Sequence, residues 1–233
     1  LSIAPDSRSG ALGDVGVATS PDMFSMHWNP AKFAFIDGNG GFGISYSPWL
    51  RALIPDINLS YLTGYYRIDS RQVIAASLMY SSLGKIEFTD NIGSILREFN
   101  ANEFSVDAAY SRLFSEHWSG GVALRFIYSN LTGGIEDTRP GISYAADVSA
   151  YYTNKLSLGT KDGNISFGIN LSNIGSKISY TTDVDPDFIP MNMRIGSTFL
   201  VNLDKYNALS FSIDINKLLV PTPPFYDSDR NIV

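Results

Sequence analysis

Apolar and polar positions alternate strictly through most of this chain. The alternation is cleanest at residues 164–172, where Ile165, Phe167, Ile169 and Leu171 share one parity and Ser166, Gly168, Asn170 and Ser172 the other. Successive side chains of a strand point to opposite faces, so this segment reads as a strand with one greasy face and one small, polar face. The split recurs at 207–217, with Leu209, Phe211, Ile213 and Ile215 set against Ala208, Ser210, Ser212, Asp214 and Asn216, and at 121–129 through Val122, Leu124, Phe126 and Tyr128. Segments 41–47, 57–66, 72–80, 103–113, 142–153 and 191–201 alternate too. The pattern predicts nine strands. Most exceed the ~5–6 residues usual in soluble sheets and approach the roughly 9 to 11 that a tilted strand needs to cross a bilayer.

The connections sort by parity. The first, third, fifth and seventh (48–56, 81–102, 130–141 and 173–190) have 9, 22, 12 and 18 residues, whereas those between them (67–71, 114–120, 154–163 and 202–206) have 5, 7, 10 and 5. Outer-membrane barrels join their strands by long loops outside the cell and short turns in the periplasm, and a soluble β-sandwich has no reason to do so. The fold class expected is all-β, a transmembrane antiparallel β-barrel with a periplasmic N-terminus. Bacterial barrels close with an even strand number and leave no open edge in lipid. Nine strands therefore imply that more follow the turn-rich VPTPP of 220–224. The expected organisation is a plug or cap over 1–36, barrel strands over 37–217, and over 218–233 a loop leading to further strands.

Composition agrees with this reading. Charged residues make up 17% of the chain and aromatic residues 13%, against about 25% charged in ordinary soluble domains. No run of about 20 apolar residues marks a spanning helix. The net charge of -6 offers no basic stripe for nucleic acid. Leu1 opens the chain without a charged and apolar leader, as in a mature exported protein. Cysteine is absent, which removes thiolate and disulfide chemistry.

Nothing in the sequence converges on catalysis. His27 and His117 are too few and too far apart for a metal cluster, and no G-x-S-x-G elbow supplies a nucleophile. Gly10, Gly13 and Gly16 lack the strand and βαβ unit of a dinucleotide site, so backbone packing is the better account of them. Asp227 and Asp229 read as solvated acids. The expectation is a non-enzyme without catalytic, cofactor or metal sites.

If the apolar parity faces lipid, the other parity lines the lumen. Centring each hairpin on its connection brings Asp107 and Asp147 within reach of Arg125, and sets Arg194 opposite Asp214 with Asn170 on its other side. Two luminal clusters are therefore expected, Asp107/Arg125/Asp147 and Asn170/Arg194/Asp214, whose charges compensate inside the wall.

Residues 1–36 do not alternate, and a short helix is expected around Met23–Trp28, after Ser20 and Pro21. Gly10-Ala-Leu-Gly-Asp-Val-Gly-Val-Ala18 followed by Trp28-Asn29-Pro30-Ala31 resembles the N-terminal signature of FadL/OmpP1-like barrels. The fuller stretch IAPDSRSGALGDVGVATSPDMFSMHWNPAKFAF, together with Asn170-Leu-Ser-Asn-Ile-Gly-Ser-Lys-Ile-Ser-Tyr180 and KLLVPTPP at 217–224, resembles the PorV family of type IX secretion in Bacteroidetes. That resemblance implies a FadL-like barrel of about 14 strands, an even number as such barrels require, set in outer-membrane lipid. It implies a carrier that meets an SprA-like translocon barrel, binds cargo proteins by their C-terminal signal domains and shuttles them to a surface complex containing a PorU-like protein. The alternative is a FadL-like channel for hydrophobic solutes. A lipopolysaccharide deacylase role attributed to such proteins finds no matching motif here. A shuttle needs an outer rim that grips a folded domain, and the long loops offer Phe99, Ile135, Phe188 and Ile189 as apolar contacts.

Overall fold

A computed structural model describes residues 3–48, 56–90, 92–134, 138–181 and 186–220. Nine antiparallel strands form one sheet in sequence order: β1 (Gly40–Pro48), β2 (Ile57–Arg67), β3 (Gln72–Thr89), β4 (Ile95–Leu113), β5 (Trp118–Asn130), β6 (Gly141–Leu158), β7 (Lys161–Gly175), β8 (Asn192–Asn202) and β9 (Ala208–Leu218). Each neighbouring pair is a hairpin. The sheet curls into half a barrel, and β1 and β9 do not pair with each other among the described residues.

All nine predicted strands are present, and two connections are much shorter than expected. β3 runs on to Thr89 and β4 starts at Ile95, so most of the expected 81–102 loop is a projecting two-stranded ribbon, with register shifts after Ser82 and at Phe88. Beyond Ser82 most described residues of the ribbon are exposed, on both of its faces. With no buried face, no alternation is imposed on the sequence. At the opposite end β6 and β7 meet in a turn at 159–160, where Gly159 takes φ +67°. The sorting of connections persists: turns at 68–71, 114–117, 159–160 and 203–207 close one end, and β1, β5 and β7 run out at the other, beside the ribbon.

The outward parity is exposed and apolar, including Phe42, Ile44, Leu62, Leu78, Val106, Leu124, Ile142, Phe167, Ile169, Leu209 and Phe211. A surface so apolar is unsuited to water and suited to hydrocarbon. Aromatics bracket it. Tyr80, Phe104 and Tyr128 are register partners near the long-loop end, with Phe104 and Tyr128 stacked at 5.0 Å. Near the short-turn end Trp118 and Tyr152 lie 4.9 Å apart. No described helix is long and apolar enough to span a membrane.

Among the described residues, the largest compact apolar packing lies on the inward face. Here the N-terminal segment folds as α1 (Ser7–Ala11), α2 (Ser25–Trp28) and a 3-10 turn (Pro30–Phe35). The helix expected around Met23–Trp28 is α2, shortened to one turn. Asp22 and Ser25 fix its start, since Asp22 N–H donates to Ser25 Oγ (3.0 Å) and Phe24 N–H to Asp22 Oδ1 (3.0 Å). Met26, Phe33 and Ile36 pack with Tyr65, Val73, Ala75, Ala109 and Ala123 of β2 to β5.

Candidate functional site

The inward face of the half-barrel carries three tiers of contacts, starting from the short-turn end. The lowest is the N-terminal segment, which touches the first and the last strand of the sheet. Met23 lies against Gly41 and Gly43 of β1 so closely that a Cβ at either would fall within 3 Å of it, and Asp214 Oδ2 on β9 accepts from the main-chain N–H groups of Gly16 (2.8 Å) and Val17 (3.0 Å). Between them Ser111 Oγ donates to Pro30 O (2.6 Å) and Ser119 Oγ to Ala31 O (2.7 Å), while Ala31 N–H donates to Ser149 Oγ (3.1 Å).

Each residue of Trp28-Asn29-Pro30-Ala31 has a structural task. Trp28 is buried, donates its indole N–H to Asp6 Oδ1 (2.8 Å), and lies flat on Gly16, where a Cβ would stand 2.3 Å from the ring. The amide of Asn29 donates to Val17 O (2.9 Å) and to Ala150 O of β6 (3.0 Å), and its oxygen accepts from Ala31 N–H (3.0 Å). Lys32, which sequence reasoning passes over, is fully buried and donates to Gly16 O (2.9 Å) and Thr19 Oγ1 (3.0 Å).

The second tier is ionic. Asp107 and Arg125 are direct register partners on β4 and β5. Arg125 Nε donates to Asp107 Oδ1, its Nη2 to Asp147 Oδ2 (3.1 Å) and its Nη1 to Asn173 Oδ1 (2.5 Å). Ser77 on β3 donates to the other oxygen of Asp107 (2.9 Å) and Asn173 N–H to the other oxygen of Asp147 (2.8 Å). Both carboxylates are nearly solvent-free, and every described polar group of the network has a partner, which a buried ion pair requires. Ser77 and Asn173 are additions to the cluster expected from sequence.

The expected Asn170/Arg194/Asp214 cluster does not assemble as drawn. Arg194 pairs in register with Asn170 on one side, but with Asn216 on the other; Asp214 stands opposite Gly196. The β8–β9 turn closes one residue pair away from the symmetric position assumed for it. Arg194 Nε donates to Asn216 Oδ1 (2.6 Å), and its guanidinium lies 4.5 Å from the centre of the Trp28 ring, a cation–π contact. Asp214 turns to the N-terminal segment instead. Beside Trp28, enclosure first and the charges of Arg194 and Arg125 next hold the His27 imidazole well below its ordinary pKa, so it is neutral at pH 7.

The third tier lies at the long-loop end, and it changes the expected set of rim contacts. Ile189 is 6% exposed and packs inward on Ile127 and Ala145 with Ile178, whereas Phe188 beside it is 54% exposed. Phe99 is half-buried under the β5–β6 loop, where a Cβ on Gly133 would meet its ring at 2.8 Å. Of the three described residues Phe188 is the exposed one; Ile189 and Phe99 pack on the wall. Ile135 lies outside the described residues, as do Asp227 and Asp229.

The sequence profile of the family described as type IX secretion system protein PorV matches residues 1–225. The chain belongs to the PorV family. No curated protein matches it. PorV membership and the β-barrel architecture make it an outer-membrane component of the type IX secretion system. The described stretches that carried the PorV resemblance are structural in this fold: Gly16, on which Trp28 packs, and Trp28–Ala31 build the lowest tier, and Asn173 joins the ionic one, whereas a Cβ at Gly10 or Gly13 would meet nothing within 4 Å, so the backbone packing expected of those two glycines is not found.

Lys32 gives the lowest tier a pH dependence. Burial lowers its ammonium from its ordinary value of 10.5 to about 8. Below pH 8 it is charged in both folded and unfolded chains; between about 8 and 10.5 the unfolded chain holds the extra proton, so stability rises with pH there. The full difference is worth about 3 kcal/mol. Unfolding in urea between pH 7.5 and 10.5 is expected to show that rise, and Lys32→Met to flatten it; equal slopes in the two proteins would refute the assignment.

Proposed function

We propose that this chain is the membrane-anchored wall of a cargo carrier. It binds secreted proteins by their C-terminal signal domains at an SprA-like translocon barrel and delivers them to a PorU-like surface protein. In this reading the short turns and the N-terminus lie in the periplasm and the long-loop end faces outside. Residues 1–36 are the plug. The observation that supports it, beside PorV membership, is the covered inward face: the same small, polar inward parity that would line a channel is engaged by the N-terminal segment from β1 to β9. That leaves little room for the continuous greasy track a FadL-like solute channel needs. Apolar groups available to a partner stand at the long-loop end, Phe188 and, around the ribbon tip, Ile92, Ile95 and Leu96.

The test is purification of the intact parent protein in mild detergent and identification of what accompanies it. A very large barrel, or secreted proteins sharing a C-terminal domain, is the expected company; bound fatty acid alone would favour the channel. Phe188→Asp is expected to reduce recovered cargo about tenfold, the loss of one apolar anchor, without changing the heat-modifiable gel mobility of the folded barrel. Undiminished cargo would remove Phe188 from the contact.

A further inference from the structure

We propose that the β7–β8 connection, over its described residues 176–181 and 186–191, is a strap held across the long-loop mouth of the lumen, and that Asn173 is its latch. Asn173 takes a left-handed conformation (φ 59°) where the β6–β7 register shifts between Ala146 and Val148. Such a bulge turns one residue out of the ladder and frees its main chain and side chain for other partners.

Its main-chain N–H and both side-chain polar groups are then used. Its N–H donates to Asp147 Oδ1 (2.8 Å), its side-chain oxygen accepts from Arg125 Nη1 (2.5 Å), and its side-chain amide donates to Pro190 O on the strap (3.0 Å). Alanine supplies neither side-chain group. The latch therefore joins the ionic tier directly to the mouth.

At its ends the strap is tied to the wall: Ser143 Oγ donates to Ser176 O (2.7 Å) and Ser176 N–H to Tyr144 O (3.0 Å) at one, and Leu219 N–H donates to Met191 O (2.8 Å) at the other; between them it is held more lightly. Ile178 and Asp187 pair main chain to main chain (2.8 Å each way), Tyr180 OH donates to Ser129 Oγ (2.9 Å), Tyr180 O accepts from Arg139 N–H (2.8 Å), and Ile189 is the one deeply buried apolar side chain among the strap's described residues. Between its tied ends, a stretch with one apolar anchor and few hydrogen bonds to the wall opens locally at a small fraction of the global unfolding cost. Phe188 is exposed next to that anchor, with Lys177 Nζ 4.3 Å from its ring centre. A partner engaging Phe188 thus pulls on Ile189, and the mouth opens when latch and anchor let go. The side of the membrane this mouth faces rests on the orientation proposed above; the strap does not.

Ala145 lies under Ile189 and is 6% exposed, and this chain has no cysteine of its own. In the full parent protein in detergent, Ala145→Cys is expected to react slowly with a membrane-impermeant maleimide. Adding Asn173→Ala, or separately Ile189→Ser, is expected to speed the reaction roughly tenfold or more by favouring the open strap. Fast labelling without either change, or equal rates with and without them, overturns the strap. An independent check is oxidative cross-linking of Ile127→Cys with Ile189→Cys, expected in the otherwise unchanged protein and diminished by Asn173→Ala; no cross-link in the unchanged protein also overturns it. If rates behave as expected in detergent but intact cells are never labelled, the orientation fails and the strap stands.

Discussion

Replacing Arg125 with methionine is expected to destabilise the folded barrel by about 3–5 kcal/mol, the usual cost of removing one member of a buried ion pair. The guanidinium serves two carboxylates, Asp107 and Asp147, which are 3% and 1% exposed. Without it both lose their counter-charge in a place water barely reaches. The penalty comes from the stranded acids more than from the lost attraction, so a second variant separates the two. Arg125→Met combined with Asp107→Asn and Asp147→Asn removes every charge, while the amide oxygens can still accept from Ser77 Oγ and Asn173 N–H, and it is expected to recover most of the loss. Urea titration of the parent protein in detergent, followed by heat-modifiable gel mobility, measures both. A single variant costing under about 1 kcal/mol, the range of exposed pairs, would mean that the cluster is hydrated and contributes little.

The ionic tier also marks where sequence reasoning holds and where it stops. Arg125 and its two acids follow from parity, because every second residue of a strand faces the lumen and only a few of those positions are charged. Centring hairpins on their connections then locates the neighbours to within one residue pair. The same procedure misplaces Arg194 against Asp214, since one pair of slip at the 203–207 turn carries the guanidinium to Asn216. Asn173 is beyond reach for a different reason. It sits at a bulge, and a bulge breaks the alternation on which the reading depends. The ribbon from Leu83 to Leu96 reads as a loop in the sequence because strands exposed on both faces carry no period. Ile189 illustrates a further limit: an apolar residue in a loop is equally compatible with presentation and with burial, and only Ile127 and Ala145 beneath it decide the matter.

The contact between the N-terminal segment and the wall is close enough for one methyl-bearing side chain to break it. Gly168 on β7 faces Val17 so directly that a Cβ there would stand 2.1 Å from Val17 O and 2.7 Å from Val17 C. These are backbone atoms, which cannot rotate aside. β7 is clamped by ladders to β6 and β8, so in Gly168→Val the segment must move and the strand stays. Gly10 has no atom within 4 Å of such a Cβ, and Gly10→Ala is the control, expected to leave the segment in place. Asn29→Ala attacks the same contact chemically: Val17 O loses its side-chain donor and Ala150 O, already in the sheet ladder, loses a second one, which together cost about 2–4 kcal/mol. Trypsin reads the outcome, because Lys32 is fully buried while the segment is seated. Cleavage after Lys32 is expected to accelerate at least about tenfold in either variant, as each costs more than the 1.4 kcal/mol that corresponds to tenfold. Combining them is expected to add little, since substitutions acting on one shared contact are not additive. Full additivity would instead mean that Gly168 and Asn29 hold the segment independently, and that the plug is fixed piecewise and not as a unit.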